Sequence, residues 1–123
     1  MCVKKGYAKH LGISNFNGQL ITDLLSFCKI KPIALQIETH PYLLQQSLVE
    51  LAQKNGIHVI AHTPLARGDG YAGETNLLKD DLINELSAKH GKTPAQIVLK
   101  TSLFRKVGVI PKTSSIARLK ENW

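Results

Sequence analysis

Near the end of the chain, Val109-Ile110-Pro111-Lys112-Thr113-Ser114-Ser115-Ile116-Ala117-Arg118 sets a cation, three hydroxyls and a guanidinium within a few residues. The apolar run Val107 to Ile110 reads as a buried strand, which Pro111 ends. Ser114 or Ser115 then caps a helix. A strand, a cationic tip, a hydroxyl and a helix start suit an anion. N–H groups at a helix start carry partial positive charge, and the planar fork of Arg118 matches phosphate oxygens. Lys112 by itself reads as an ordinary solvated lysine; with Thr113 and Arg118 at these offsets a phosphate is the better reading.

Three other polar tips follow apolar runs. Ser14 and Asn15 follow a strand over Ala8–Ser14. Gln36 and Glu38 lie in or at the end of a strand over Ile33–Ile37. His62 and Thr63 leave a strand over Ile57–Ala61 and lead to Leu65 and Arg67. An amide inside an apolar strand needs partners, so Gln36 points to a ligand or a network. The plainer alternatives are a turn for Ser14-Asn15, a structural histidine for His62, a brace for Glu38 and a solvated loop residue for Arg67. His10, His40, His58 and His90 show no metal-ligand spacing.

The elements that carry these tips alternate. Asn17 caps a helix with Leu20, Ile21, Leu24, Leu25 and Cys28 at helical spacing, Cys28 reading as a small buried hydrophobe. Ser47-Leu48-Val49-Glu50 has the form of a capping box before a helix carrying Leu48, Leu51 and Ala52 on one side. Asn55-Gly56 ends it. Gly68 to Asn76 reads as a loop. Asp80-Asp81 opens a helix with Leu82, Ile83 and Leu86 facing inward, and Gly91 closes it. Thr93-Pro94-Ala95-Gln96 starts another, running to about Phe104. Strand–helix alternation means a parallel sheet with right-handed crossovers. The polar strand exits then share one rim, where such folds bind ligands. Four strands are half of the eight in a closed parallel barrel.

Length and composition bound the rest. The chain has 123 residues, 43% of them hydrophobic, which predicts one small globular domain over residues 1–123. The net charge of +7 invites a polyanion, yet the basic residues are scattered and not interleaved with aromatics. Nucleic acid is therefore not the expected partner. Two cysteines form no disulfide framework and point to a reduced, cytoplasmic setting. No secretory leader is expected, and no apolar run approaches the roughly 20 residues of a membrane span.

Five segments together resemble the aldo-keto reductases in order and spacing: Gly12-Ile13-Ser14-Asn15-Phe16; Gln36-Ile37-Glu38-Thr39-His40-Pro41-Tyr42-Leu43; Ala61-His62-Thr63-Pro64-Leu65-Ala66; Thr93-Pro94-Ala95-Gln96-Ile97-Val98-Leu99; and Ile110-Pro111-Lys112-Thr113 with Arg118 and Glu121-Asn122. The resemblance implies an α/β fold, half of a (β/α)8 TIM barrel, with four parallel strands and flanking helices corresponding to the fifth to eighth. It implies NADP(H) as cofactor and hydride transfer between the nicotinamide and a carbonyl or alcohol. By the same resemblance Ser14, Asn15 and Gln36 hold the nicotinamide carboxamide, and His62 stands where the family usually has a ring-stacking tyrosine. Thr63, Leu65 and Arg67 cover the pyrophosphate; Lys112, Thr113 and Arg118 clamp the adenosine 2′-phosphate; Glu121 and Asn122 contact adenine. The chemistry of the side chains agrees. A carboxamide has two donors and an acceptor, which suit Ser, Asn and Gln.

The departures matter too. The family's Asp, Tyr, Lys and His of catalysis belong to the other half of its barrel. Tyr7, Tyr42 and Tyr71 match no catalytic position, so no catalytic residue is assigned and no carbonyl reduction by this chain alone is expected. The chain reads either as a C-terminal portion of the enzyme or as a non-catalytic nucleotide-binding or assembly module. A small-molecule carbonyl is a partner only if the other half is supplied. Open strand edges predict self-association.

Overall fold

A computed structural model of the chain describes residues 2–67 and 76–123. The elements in order are β1 (Gly12–Ser14), α1 (Gly18–Phe27), β2 (Ala34–Glu38), α2 (Gln46–Lys54), β3 (His58–His62), a 3₁₀ turn (Leu77–Lys79), α3 (Asp81–His90), α4 (Pro94–Phe104), β4 (Gly108–Val109) and α5 (Ile116–Asn122). The loop expected over Gly68–Asn76 lies outside the described residues except Asn76, whose side chain caps the 3₁₀ turn at Leu78 N. The four parallel strands lie in chain order, β1-β2-β3-β4. Gly12, Ile13 and Ser14 pair with Ala34, Leu35 and Gln36.

Contacts divide the chain into two units: Met1–Ile37 with Gln45–Ile60, and Glu38–Leu44 with Ala61–Trp123. In the first, Asn17 Oδ1 accepts from Leu20 N at 2.9 Å and starts α1 as expected. Ile21 is fully buried, while Leu20 is exposed and Cys28 only half-buried at the helix end. The side chains of β2 alternate: Leu35 and Ile37 are buried, and Ala34, Gln36 and Glu38 are half-buried on the opposite face. Gln36 is thus a rim amide rather than a core one.

The start of α2 differs from the expected capping box. Gln45, in the left-handed region at φ 46°, is the N-cap and makes no side-chain cap bond. Ser47 falls inside the first turn, where Gln46 Nε2 donates to Glu50 Oε1 at 2.5 Å. Val49 and Ala52 form the buried stripe, with Leu48 and Leu51 beside it half-buried. Gly56, at φ +71°, ends the helix as its sequence predicts.

In the second unit, Leu77, Val98, Ile83 and Ala66 form a buried cluster, against which Leu65, Leu78 and Ile97 pack. Asp80 caps α3 and Gly91 closes it in the left-handed region at φ 58°. Leu82, expected to face inward, is 61% exposed; only Ile83 of that helix is buried, because one stripe of a two-layer helix meets the core. The box before α4 is complete: Thr93 Oγ1 accepts from Gln96 N, and Gln96 Oε1 accepts from Thr93 N. The strands are shorter or displaced relative to the apolar runs. β1 is confined to Gly12–Ser14, β2 and β3 each end one residue later than expected, and β4 keeps only Gly108–Val109. Pairing rather than apolarity sets strand length.

The segment after β2 is tied to α3. Tyr42 Oη donates to Asp80 Oδ2 at 2.6 Å, while Asp80 Oδ1 accepts from Leu82 N and Ile83 N. The tyrosine bond, aided by these backbone donors, holds the Asp80 carboxyl below its usual pKa and the Tyr42 phenol above its own. A carboxyl lowered in the native state stabilises the fold above its unfolded pKa of about 4 and loses that contribution as pH falls through its native value. Acidification is therefore expected to lower Tm more for the parent than for Tyr42→Phe. Parallel Tm–pH curves for the two would refute the tie.

Candidate functional site

The residues after β3 and after β4 meet in one cavity of about 430 Å³. Thr63, Leu65 and Arg67 line it from the first segment, and Lys112, Thr113, Arg118, Glu121 and Asn122 from the second. Pro64, Leu78, Ala95, Ile110 and Pro111 complete the wall. Pro64 and Pro111 stand beside assigned residues. Leu78 and Ala95 were not among the expected contacts; their only sequence signal is proximity to a helix start.

The segment after β3 is built from unusual backbone. Thr63, Ala66 and Arg67 have φ of 51°, 48° and 62°. A β-branched residue rarely adopts the left-handed region, and holding one there costs about 1–3 kcal/mol. Ala66 is buried in the apolar cluster and donates from its N–H to Thr63 O at 3.0 Å, which closes the turn. The strain is thus held at a site rim, where it fixes which groups face the cavity. His62, half-buried at the last position of β3, lies with Nδ1 3.0 Å from Thr63 Oγ1.

On the other side, Lys112 and Arg118 are exposed. Among the described residues no carboxylate lies within ion-pair distance of either. With Arg67, three cationic side chains and the Glu121 carboxylate line the cavity, which leaves it electropositive. Ser115, not Ser114, caps α5, its Oγ accepting from Arg118 N at 3.4 Å. Thr113 Oγ1 accepts from Ser115 N at 3.0 Å. The start of α5 is where helix N–H groups are expected to take the anion. Two of them already have side-chain acceptors, and α5 spans 7 residues, too short for a substantial dipole. Thr113 shapes the turn between Lys112 and Arg118, whose side chains both line the cavity.

The remaining candidates sit in the first unit. Ser14 lies opposite Gln36 in the sheet register, and Asn15 N donates to Gln36 O at 2.9 Å. Asn15 leaves β1 in the left-handed region at φ 57°, which asparagine tolerates. Ser14 and Asn15 are exposed and Gln36 half-buried, so a hydroxyl and two amides cluster at this strand end.

The family model for the aldo/keto reductases matches residues 1–123. The chain belongs to the aldo/keto reductase family. Its similarity to a probable NAD(P)H-dependent D-xylose reductase of Emericella nidulans is 44% identity, over 98% of this chain and 40% of the relative. Among solved structures, the aldose reductase from Schistosoma japonicum superposes with a TM-score of 0.91 at 40% identity, over 99% of this chain and 38% of that one. An aldo-keto reductase solved in complex with NADPH superposes with a TM-score of 0.91 at 32% identity, over 98% and 38%. This aldo/keto reductase chain spans about two fifths of the length of the relatives it matches. Its four strands and helices correspond to part of the family's barrel, as a half-barrel does.

Proposed function

We propose that this chain is the cofactor-holding part of an NADP(H)-dependent aldo/keto reductase that interconverts carbonyls and alcohols. The observation that carries the reading is the electropositive cavity in which Lys112 and Arg118 have no carboxylate partner among the described residues. When bound, the nicotinamide supplies the hydride. The residues of this chain bind and orient. Lys112 offers a compact charge and Arg118 a fork to a phosphate monoester, which only the 2′-phosphorylated cofactor carries. Glu121 and Asn122 offer an acceptor and an amide to the edges of adenine. Thr63, Leu65 and Arg67 form the opposite wall, suited to the pyrophosphate. Ser14, Asn15 and Gln36 match a carboxamide in donors and acceptors, and His62 presents a flat ring. The D-xylose reductase name and the NADPH complex among the relatives support the same cofactor class.

By the resemblance the family's catalytic Asp, Tyr, Lys and His belong to the other half of its barrel, so no residue of this chain is proposed as the general acid. Tyr42 Oη donates to Asp80 Oδ2. Tyr7 is 79% exposed, and Tyr71 lies outside the described residues. Binding rather than turnover is therefore the proper assay. Titration of the chain with NADPH and NADH, followed by cofactor fluorescence, is expected to show tighter binding of NADPH. Equal affinities would remove the 2′-phosphate site.

A further inference from the structure

Gln96 stands at the third position of α4, and the sequence explains it as half of a capping box. That uses only its Oε1, which accepts from Thr93 N at 3.1 Å. Its other end does something else: Nε2 donates to Glu121 O at 2.9 Å, across 25 residues. Glu121 O is one of the last four carbonyls of α5, which have no partner inside their own helix. A side chain from α4 therefore closes the end of α5.

The tie matters because little else holds that helix. α5 has 7 residues, fewer than two turns, and none of them is buried. Ile116 is 75% and Leu119 62% exposed, so apolar packing anchors it weakly. A helix this short is marginal without outside support. Its start is fixed by Ser115 Oγ and Thr113 Oγ1, and its end by Gln96. Arg118, Glu121 and Asn122 all face the cavity from this helix.

We infer that Gln96 is a positioning residue for the adenosine end of the cavity: its amide joins the cap of α4 to the end of α5 and so sets where Arg118, Glu121 and Asn122 meet the nucleotide. The role rests on the cofactor reading above. It adds a residue that lies outside that cavity's lining and acts through another helix.

Two substitutions separate positioning from mere stability. Thr93→Val removes the hydroxyl that accepts from Gln96 N and leaves the tie to Glu121. Gln96→Met removes the tie together with the other half of the cap, at nearly constant side-chain length. Both are expected to lower Tm similarly. Only Gln96→Met is expected to weaken adenosine 2′,5′-bisphosphate, by about tenfold by calorimetric titration, the scale of one lost hydrogen bond in a binding site. In the ligand-free protein it alone is expected to speed amide hydrogen exchange over residues 119–122. Should Gln96→Met fail to fold, Gln96→Glu keeps the cap acceptor and replaces the donor to Glu121 O by a charged carboxylate oxygen, and the same exchange readout applies. Affinity and exchange unchanged in Gln96→Met, or equally changed in Thr93→Val, overturn the role. If the parent chain itself does not bind adenosine 2′,5′-bisphosphate, the cofactor reading falls and the role with it. Binding by the parent that Gln96→Met leaves intact removes the role alone.

Discussion

Replacing Lys112 and Arg118 together by alanine is expected to weaken NADPH about a hundredfold, with NADH changed by no more than about threefold. Both side chains line the cavity and neither has a carboxylate partner among the described residues. Their removal thus leaves no protein anion unpaired, and the loss falls on the ligand alone. A hydrogen bond to a charged group contributes about 1.5–3 kcal/mol, and two at the low end amount to about a hundredfold. Both side chains are exposed, so salt screens them and the difference between parent and variant narrows as ionic strength rises. Arg118→Lys keeps the charge and loses the fork, and an intermediate affinity is expected. Equal weakening of NADPH and NADH would place these cations on the pyrophosphate that both cofactors share, against the proposed clamp.

The second large effect concerns the apolar support behind the cavity. Leu77→Ala is expected to destabilise the chain by about 2–5 kcal/mol, read from denaturant unfolding. Leu77 is 1% exposed, and Ala66, Ile83 and Val98 surround it in one cluster. Deleting its branched end leaves a void that a close-packed interior only partly collapses. Leu65 and Leu78 pack on the same cluster and also line the cavity, so weaker nucleotide binding is expected alongside lower stability. Leu82→Ala is the control. At 61% exposure that side chain is expected to matter little. A loss from Leu82→Ala as large as that from Leu77→Ala would contradict the described core.

Helix starts were legible because a cap is a local event. Asn17, Asp80, Thr93 with Pro94 and Gln96, and Ser115 each place an acceptor two or three residues before an unpaired N–H, and the structure uses every one. The exception is instructive. Ser47-Leu48-Val49-Glu50 has the right letters for a capping box, yet α2 begins at Gln46 behind a left-handed Gln45. The preceding Leu44 has its carbonyl taken by Arg105 Nη2 at 2.7 Å, 61 residues away in sequence, and by the Thr39 hydroxyl. Such a partner carries no local signature.

The sequence by itself determined the alternation of strands and helices, the polar strand exits and the grouping of Lys112, Thr113 and Arg118, because each depends on periodicity or spacing within a few residues. Only the tertiary structure decided that Thr63, Leu65 and Arg67 share a cavity with Lys112 and Asn122, that Thr63 sits at positive φ, and that Gln96 reaches Glu121. Those outcomes depend on which surfaces pack together, and packing chooses partners by shape and unmet hydrogen bonds across tens of residues.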